Sequence, residues 1–414
     1  MERTVLHVDC NKFFASVECL HRPEIRHLPV AVGGDTEKRH GIILTVNGNA
    51  AKLGVKTAEP IWQAKQKCPD LVIVPPNYPL YTRFSKMARE IYSEYTDLVE
   101  SFGLDECWLD VSSDVSSERE RFLIAEKIRE QVKFELGITV SVGASWNKVY
   151  SKLGSDYKKP DAVTVFNREN YKNLIFPLPA RDLLYVGRAT EKKLASRGIF
   201  TIGDIANSPP ERLCSFLGKN GLLLHDFASG NEDSPVSRID DEMAVKSIGN
   251  SVTAPRDLTS FDDIKMTLAV LSDSVARRLR EHGFLCRNIS IWVRDSGLSS
   301  FTRQVSFANP VSSSTAILKT AMQMVYANLK PPFQVRSVRV SVSELCGEDE
   351  SVQFDLENRV KREEKLRILD DTMDKLKNRF GSNTVFPACL LTDRQLTGFS
   401  PYDDHTVHPE GWFR

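Results

Sequence analysis

Three acidic residues in two short apolar stretches could bind a divalent cation. Asp9 ends the run TVLHVD, and Asp105 and Glu106 follow Gly103 in SFGLDECWLDVS. Carboxylates in apolar surroundings are costly unless a positive charge compensates them. Hard cations such as Mg²⁺ take oxygen ligands and often share them with substrate phosphates. If the two stretches form neighbouring strands, the three acids favour metal-assisted phosphoryl transfer.

The turn before the acidic pair decides whether both carboxylates can face one site. Neighbouring residues on a regular strand point to opposite faces, so Asp105 and Glu106 converge only where the strand begins at a turn. Gly103 permits such a turn. Asp110 lies four residues beyond Glu106, about 13 Å along the strand, and is expected to be structural. A solvent-facing acidic pair at a turn is the alternative interpretation, which these residues alone leave open.

Composition indicates a globular protein of several domains. The chain has 414 residues, of which 41% are hydrophobic and 27% charged, a balance typical of soluble proteins. No apolar run reaches the roughly 18 residues that a membrane span needs, and the N-terminus lacks a signal-peptide pattern. The eight cysteines include no CxxC pair, which favours free thiols over a zinc site. We therefore expect a cytoplasmic protein that does not enter a membrane.

The elements that must position these acids follow from hydrophobic periodicity. Residues up to about 166 alternate strand and helix patterns, which predicts a sheet with helices packed on it. Residues 178–235 look all-helical. From residue 246 to 345 the predicted order is strand, helix, strand, strand, helix, strand, which indicates a small α+β domain with an antiparallel sheet. A final amphipathic helix is predicted near residues 358–380, because apolar residues recur there with helical spacing. They are Leu369, Met373, Leu376 and Phe380.

Charge is balanced overall but unevenly distributed. Lys plus Arg and Asp plus Glu number 55 each. Residues 241–345 hold 13 basic and 9 acidic residues, whereas residues 346–414 hold 10 and 14. A basic module followed by an acidic tail suits an anionic partner for the module. A solvated surface explains the modest excess nearly as well.

Three stretches together resemble the palm of a Y-family DNA polymerase, most closely that of the bacterial DNA polymerase IV branch. They are HVDCNKFFASVE, FGLDECWLDVS and SVGASWNKVYSKLGSDYKKPDA. The resemblance extends over residues 4–345 and implies a multidomain α+β right hand. Its expected parts are a ferredoxin-like palm, small fingers, a helical thumb with a helix-hairpin-helix, and an α+β little finger. The expected bounds are 1–10 and 76–166 for the palm, 11–75 for the fingers, 167–235 for the thumb, 236–245 for a linker, 246–345 for the little finger and 346–414 for an acidic tail.

The resemblance implies an activity and a set of catalytic residues. Asp9, Asp105 and Glu106 match the family's catalytic metal ligands, and the main-chain carbonyl of Cys10 matches a further metal oxygen. The expected cofactor is a pair of Mg²⁺ ions, for which Mn²⁺ can substitute. The implied reaction is template-directed addition of a dNTP to a primer 3′-hydroxyl, with low fidelity, in translesion synthesis and DNA repair. We expect a monomer that binds primer-template DNA and dNTP.

The same comparison places the nucleotide near a second set of residues. They are Phe13, Phe14, Thr45, Lys52 and Lys159. Phe14 matches the steric gate that excludes a ribose 2′-hydroxyl, whereas Phe13, turned about 100° away on the helix, is expected to pack in the core. Thr45 and Lys159 match contacts to the triphosphate. Lys148 and Lys152, four residues apart on one helix face, could also reach a phosphate.

One departure from the family pattern concerns the triphosphate. The family commonly has a Tyr and an Arg there, where this chain has Gly48 and Ala51. Losing an Arg–phosphate fork removes a strong contact. We therefore expect weak nucleotide binding, partly restored by Lys52 or Lys12. The departure also keeps open a catalytically weakened DNA-binding relative. A nucleotidyl cyclase is a third hypothesis, which the predicted thumb and basic module disfavour.

Further residues are expected to contact DNA or a clamp. YVGRATEKKL resembles half of a helix-hairpin-helix, in which backbone N–H groups bind a DNA phosphate without reading sequence. The candidate DNA contacts are Val186, Gly187 and Arg188 in that motif, and Lys246, Arg256, Arg294, Arg303, Arg336 and Arg339 in the little finger. The tail segment Gln353–Leu356 weakly resembles a peptide that docks on the sliding clamp.

Overall fold

A computed structural model describes residues 3–34, 41–115, 117–241, 244–347, 350, 359–382 and 384–404, with the side chains of 359, 360, 403 and 404 left out. The chain divides into two compact units. The first contains the described residues up to 34 and from Ile42 to 241, and the second begins at Ala244. Both units combine helices with sheets, so the expected multidomain α+β class is confirmed. Within the described ranges, no helix combines the length and apolar character needed to cross a membrane.

The first unit contains two sheets and a set of helices, of which α4 and α5 are the longest. Its strands are β1 (Val5–Cys10), β2 (Val30–Gly33), β3 (Ile43–Val46), β4 (Val72–Val74), β5 (Val99–Ser101), β6 (Glu106–Asp110), β7 (Val140–Ser145) and β8 (Val163–Val165). Its helices are α1 (Phe13–His21), α2 (Gly48–Lys52), α3 (Ile61–Lys67), α4 (Tyr78–Ser93), α5 (Glu118–Leu136), α6 (Lys148–Tyr157), α7 (Tyr171–Ile175), α8 (Arg188–Ala195), α9 (Ile202–Ala206), α10 (Pro210–Leu217) and α11 (Lys219–Ser229).

The larger sheet has the strand order β5-β6-β1-β7-β8, and β1 lies at its centre. All six residues of β1 are buried, because α1, α4 and α5 contribute to a core on one face and α6 packs on the other. The approach of α6 is very close: a Cβ added to Gly143 on β7 would lie 1.9 Å from the carbonyl oxygen of Ser151. Only glycine permits this contact, which brings the side chains of α6 under β1.

The smaller sheet, β3-β2-β4, has a hydrophobic core of its own. That core includes Ala31, Ile43, Val46, Ala50 and Ile61. Helix α1 contributes Phe13 and Val17 to the core of the larger sheet instead. The sequence prediction placed α1 in the fingers. In the structure, α1 packs against the sheet that carries Asp9.

The segment expected to be a linker is anchored to the first unit along its early part. Val236 is buried beside Val5 and Trp108, and the backbone N–H of Ser237 donates to Glu100 at 2.9 Å. The anchoring could not be predicted from the sequence, because a single buried valine and a few backbone hydrogen bonds produce no periodic hydrophobic pattern.

The second unit follows the element order predicted from sequence up to the helix near 358–380, and two short helices that were not predicted come after it. Its elements are β9 (Ser247–Leu258), α12 (Phe261–Glu281), β10 (Phe284–Asp295), β11 (Ser300–Val311), α13 (Ser314–Asn328), β12 (Val335–Gly347), α14 (Arg359–Phe380), α15 (Arg394–Thr397) and α16 (Pro401–Asp404). The antiparallel sheet has the order β11-β10-β12-β9, and its apolar residues form one core with α12 and α13. Serine N-caps with capping hydrogen bonds begin both helices, as expected for such boundaries.

The described residues from 359 to 404 belong to the second unit. Leu396 on α15 is 1% exposed and joins the core of that unit, and the Tyr402 hydroxyl donates to Glu281 on α12 at 2.6 Å. The predicted helix near 358–380 is present as α14. Of the apolar residues whose spacing predicted this helix, Leu369 and Phe380 are 54% and 59% exposed. The helix packs through charged residues instead.

Candidate active site

The antiparallel pairing of β1 with β6 brings the two acidic stretches together. Asp9 lies opposite Glu106 in the register, and the Cys10 N–H donates to the Asp105 carbonyl at 2.9 Å. Gly103 adopts a φ of 93°, a left-handed conformation that favours glycine. The turn therefore precedes β6 as the sequence predicts, and the backbones of all three acids are neighbours.

Asp110 lies at the opposite end of β6. It is paired with Val5 in the register, forms an ion pair with Arg3 at 3.1 Å and accepts a hydrogen bond from the backbone N–H of Ser112 at 3.1 Å. These contacts join the strand to the chain terminus and the following turn. They support the structural role expected for this third acid of the SFGLDECWLDVS stretch.

Two lysines hold the carboxylates of the neighbouring strands. Lys159 donates to Asp9 Oδ2 at 2.5 Å and also pairs with Asp156 Oδ1 at 2.5 Å. Lys152, on α6, forms a hydrogen-bonded ion pair with Glu106. The sequence predicted both lysines at phosphates, whereas here each neutralises an acid. Asp9 and Glu106 therefore pair with different lysines. Among the described residues, no three His, Cys, Asp or Glu side chains are grouped closely enough to hold a metal ion.

Burial makes two of the three carboxylates unusually weak acids. Burial raises the pKa of Asp9 to about 6, despite the opposing charge of Lys159. Burial, together with the nearby charges of Asp9 and Glu106, raises the pKa of Asp105 to about 7. Burial also favours a higher pKa for Glu106, but the contacts of Glu106 with His7 and Lys152 outweigh the effect of burial. The pKa of Glu106 is lowered to about 2. Negative charge at Asp9 and Asp105 is therefore costly and is stabilised by any cation placed beside them.

His7 is a buried neighbour of the acids that sequence reasoning did not identify. Its Nε2 lies 3.3 Å from Glu106 Oε2, and its Nδ1 lies 2.8 Å from Ser155 Oγ on α6. Burial lowers the pKa of His7 to about 4, so the ring is neutral at neutral pH. The signal that could have found it is its position on β1, two residues before Asp9 on the same face.

The donor set around Asp105 fits a hard divalent cation. Asp9, Asp105 and Glu106 offer carboxylate oxygens, the ligands that Mg²⁺ prefers. Among the described residues, Asp105 has no ion-pair partner within 4 Å, so its charge is the least compensated of the three. The Cys10 thiol lies 4.0 Å from the Tyr92 hydroxyl, and burial raises the pKa of that thiol well above its usual value. The protonated thiol of Cys10 is a poor ligand for a hard metal ion, so only the main-chain carbonyl of Cys10 is suited to bind one.

Phe14 and Phe13 point to different surroundings, as predicted. Phe13 is 3% exposed and belongs to the core. Phe14 is half-buried and stacks on Tyr81 of α4, with ring centroids 4.2 Å apart and planes 11° apart. Tyr78 meets Phe14 edge-on at 6.0 Å. The two tyrosines were missed; they lie three residues apart on α4, which places them on one face of that helix.

The segment where the family pattern is broken forms a short open helix. Thr45 is half-buried on β3, and Lys52 is exposed at the end of α2. A Cβ added to Gly48 would meet no heavy atom within 4 Å. Lys12 is half-buried with a φ of 52°, and burial lowers the pKa of its ammonium group. The space beside Gly48 is therefore open, and Lys12 is the more enclosed of the two candidate substitutes.

Lys148 has a different partner from the one that its spacing suggested. Its Nζ donates to Glu100 Oε2 at 2.6 Å, and its backbone carbonyl accepts from the Trp108 indole N–H at 2.9 Å. The residue fastens α6 to the edge of the sheet. Lys152, one turn further along α6, is the one that reaches the acids.

The predicted helix-hairpin-helix turn lies at the start of α8. Gly187 is the N-cap of that helix, Val186 is 7% exposed, and Arg188 is its first residue. A Cβ added to Gly187 would have no heavy atom within 4 Å. A second turn through Gly198, with a φ of 76°, leads into α9. The backbone N–H groups at the start of α8 are thus accessible to an anion.

The six basic residues proposed for the little finger occupy different positions in the second unit. Arg294 and Arg339 lie on the sheet face opposite the helices, since Trp292 and Arg294 alternate with buried Ile291 and Val293. A cleft of about 460 Å³ on that face is lined by Ser251, Ser290, Trp292, Thr302, Arg339 and Ser341. Lys246 is exposed just before β9, and Arg336 is half-buried on β12.

Two of these arginines do not share that face. Arg303 donates to Asn328 of α13 at 2.7 Å and pairs across strands with buried Ile291, so it lies on the helix side of the sheet. Arg256 is bound by Asp263 and Asp393 at 2.9 and 2.7 Å. The expectation of one common basic groove is therefore wrong for these two, because sequence spacing does not show which face a strand residue occupies at a sheet edge.

The proposed clamp peptide, Gln353–Leu356, lies outside the described residues.

Comparisons with known proteins identify the family of this chain. Residues 8–156 match the model of the impB/mucB/samB family, and residues 245–356 match the model of the impB/mucB/samB family C-terminal domain. A DNA polymerase IV of Acetivibrio thermocellus is 48% identical over 396 residues, covering 96% of this chain and 99% of the relative. DNA polymerase IV 1 of Bacillus subtilis is 33% identical over 393 residues, covering 94% and 93%.

A solved structure shares the fold. A Y-family DNA polymerase chimera of Dbh and Dpo4 aligns with a TM-score of 0.73 at 24% identity, covering 83% of this chain and 100% of the other. At that identity the likeness concerns the fold alone. The sequence identity to the curated relatives, over nearly the whole chain, shows the family: this chain belongs to the impB/mucB/samB family, with the proteins named DNA polymerase IV.

Proposed function

We propose that this protein is a template-directed DNA polymerase of low fidelity that adds dNTPs to a primer 3′-hydroxyl during translesion synthesis. The observation that carries the proposal is the register of β1 and β6, which places Asp9 opposite Glu106 and Asp105 beside Cys10. The family membership supports the same function and disfavours a nucleotidyl cyclase.

Asp9, Asp105 and Glu106 are proposed to hold the divalent cations of the reaction, with the Cys10 carbonyl as a further oxygen. We expect two Mg²⁺ ions, or Mn²⁺ in their place, because the donors are hard oxygens. Bound by these residues, such ions would supply positive charge at the primer hydroxyl and at the leaving pyrophosphate. The three carboxylates supply negative charge at a buried position, where electrostatic interactions are strong.

The lysines serve this site in two ways. In the structure described, Lys159 and Lys152 compensate the charges of Asp9 and Glu106. Lys159 has a 32% exposed side chain, so its ammonium group is accessible to a triphosphate while the chain remains anchored near Asp9. Lys152 is more enclosed, at 18% exposure, and we assign it to positioning Glu106. Phosphoryl transfer depends on such positioning and charge rather than on covalent chemistry.

The nucleotide is proposed to lie against Phe14, with Thr45 and Lys159 at the triphosphate. Stacking on Tyr81 fixes the Phe14 ring, and a fixed ring can exclude a 2′-hydroxyl by steric contact. Preference for dNTP over rNTP follows. Gly48 and Ala51 leave the triphosphate with fewer contacts, so we propose weak dNTP binding, with Lys12 or Lys52 as partial substitutes.

Primer-template DNA is proposed to contact both units. Backbone groups at Gly187 and Arg188 bind phosphate without reading sequence, and Arg294 and Arg339 bind the backbone from the exposed sheet face. Binding through such contacts weakens steeply with salt. We also propose that the protein is a cytoplasmic monomer. Its segment Gln353–Leu356 is proposed to contact a sliding clamp.

Extension of a primed template by single nucleotides tests the function. The protein is mixed with Mg²⁺, a labelled primer on each of four templates that differ in the first unpaired base, and one dNTP at a time. The proposal predicts addition chiefly of the complementary nucleotide, and some addition of wrong ones. Absence of any extension favours the DNA-binding alternative, and pyrophosphate release without DNA favours a cyclase.

A further inference from the structure

Helix α14 is fastened to the second unit by its acidic side. Arg280 of α12, whose side chain is 5% exposed, pairs with Asp370 at 3.1 Å and with Asp374 at 2.6 Å. Glu363 accepts hydrogen bonds from the backbone N–H of Ser313 at 2.8 Å and from its hydroxyl at 2.7 Å. These carboxylates are used for attachment, partly at the N-terminus of α13, where negative charge is favourable.

The opposite side of α14 is apolar and basic. Its exposed apolar residues are Ile368 at 58%, Leu369 at 54%, Leu376 at 38% and Phe380 at 59%. Its exposed basic residues are Lys361, Arg362, Lys365, Lys375 and Arg379. We call these nine residues the basic-apolar face. Within the part of the chain that the structure describes, no carboxylate pairs with Lys361, Arg362, Lys365 or Lys375.

The segregation of charge on one helix indicates what covers this face. The acids of α14 face largely inward, and Glu364 is the one fully exposed acid beside five basic residues. Leaving four large apolar side chains in water is unfavourable, and covering them with a partner lowers the free energy. Charge complementarity then selects an anionic occupant that also brings apolar groups.

We propose that the basic-apolar face of α14 docks an acidic peptide segment of a partner protein that carries aliphatic or aromatic side chains. Two apolar pairs, Ile368 with Leu369 and Leu376 with Phe380, have midpoints about 14 Å apart along the helix. Basic residues flank both pairs. A peptide with apolar side chains at matching intervals and acids between them satisfies both features, as in other contacts between a helix face and a short segment.

Other polyanions fit this face less well. A bilayer is flat and wide, so it would also meet the acids at the rim, Glu364 and Asp371, the second of which has a 43% exposed side chain. A nucleic acid prefers continuous positive charge and repeated aromatic rings. Here Lys365 and Lys375 are separated by about 15 Å of helix, and Phe380 is the one aromatic side chain of the face.

Selection from a library of random peptides, displayed against the immobilised full-length protein, tests the proposal. Selected peptides should be enriched in Asp and Glu together with Leu, Ile and Phe. Labelled copies should bind the Lys365→Glu/Lys375→Glu and Leu369→Ser/Leu376→Ser variants at least about tenfold more weakly. Lys265→Glu, an exposed charge reversal on α12, is the matched control and should bind like the unmodified protein. All variants should retain primer extension, because these residues lie outside the proposed catalytic site.

Three results would overturn the proposal. One is selection without acidic-apolar enrichment. Another is equal binding of the selected peptides to all variants. The third is that the α14 variants bind the selected peptides normally but lose binding to oligodeoxythymidine or to phosphatidylserine vesicles. That result would assign the face to nucleic acid or to membrane.

Discussion

Lys159 donates a 2.5 Å hydrogen bond to Asp9, although 150 positions separate the two residues. The contact joins the end of β1 to the segment after α6, and it brings the proposed triphosphate-binding lysine to a proposed metal ligand. Nucleotide binding and charge compensation are therefore linked in one side chain. Burial of Asp9 and the second pairing of Lys159 with Asp156 keep the ammonium group in place.

Replacement of Lys159 with alanine should weaken catalysis without unfolding the protein. A charge-assisted hydrogen bond contributes about 1.5–3 kcal/mol, so kcat/KM for dNTP should fall about 10- to 100-fold. Steady-state single-nucleotide insertion measures this. Lys158→Ala, at the exposed neighbouring lysine, is the control and should have a small effect. Equal effects of both substitutions would contradict the assignment.

Magnesium binding by the DNA-free protein should depend on pH. Burial raises the pKa of Asp9 to about 6 and that of Asp105 to about 7, so both carboxyls take up protons as the pH falls through these values. A cation must displace those protons, and its apparent affinity should therefore fall as the pH decreases from about 8 to about 5. Calorimetric titration with Mg²⁺ in buffers of different ionisation enthalpy measures the released protons. Binding without proton release near pH 6 would count against the prediction.

Gly48→Tyr should improve nucleotide binding. The added side chain meets no heavy atom near its Cβ, and Gly48 does not need a left-handed backbone, so the change should leave stability nearly unaltered. A hydrogen bond to a triphosphate of about 1–3 kcal/mol predicts a fall of roughly 5- to 100-fold in the KM for dNTP. Gly54→Tyr, at a nearby positive φ of 80°, is a contrasting control that should only destabilise. An unchanged KM in the Gly48 variant would argue against a triphosphate at this position.

Arg280→Ala should release α14 from the second unit. Loss of the guanidinium leaves Asp370 and Asp374 buried without their common partner, which costs about 3–5 kcal/mol. Hydrogen exchange of α14 amides should accelerate by a matching factor, while the strands β9 to β12 should remain protected. Lys375→Ala, an exposed change on the same helix, serves as the control. Unaltered protection of α14 would show that other contacts hold the helix.

Much of this arrangement could be predicted from the sequence, for identifiable reasons. The order of elements in the second unit followed from periodicity, because each strand and helix there has a clear apolar face. The proximity of Asp9 to Asp105 and Glu106 was a conditional prediction from two strand patterns and one glycine turn, and the resemblance to the polymerase palm supported it. In each case the signal lay within a few consecutive residues.

Contacts between distant segments could not be predicted in the same way. The partners of Lys152 and Lys159 depend on how closely α6 approaches β7, an approach that Gly143 and Gly154 permit but that the sequence pattern does not predict. The orientation of α14 was also not predicted, because the large apolar residues of its stripe are mostly exposed in the structure. Arg280, about ninety residues earlier, decides that orientation through its buried ion pairs with Asp370 and Asp374.

Single-turnover insertion of a correct dNTP by an Asp105→Asn/Glu106→Gln variant tests the proposed site most directly. The exchange keeps side-chain size but removes both charges, so the account predicts a loss of several kcal/mol of transition-state stabilisation, at least about 10³-fold in rate. DNA affinity and the unfolding temperature should change little. Asp110→Asn, at the third acid of the same stretch, should retain nearly the full rate. Insertion by the double variant at the unmodified rate would contradict the central claim.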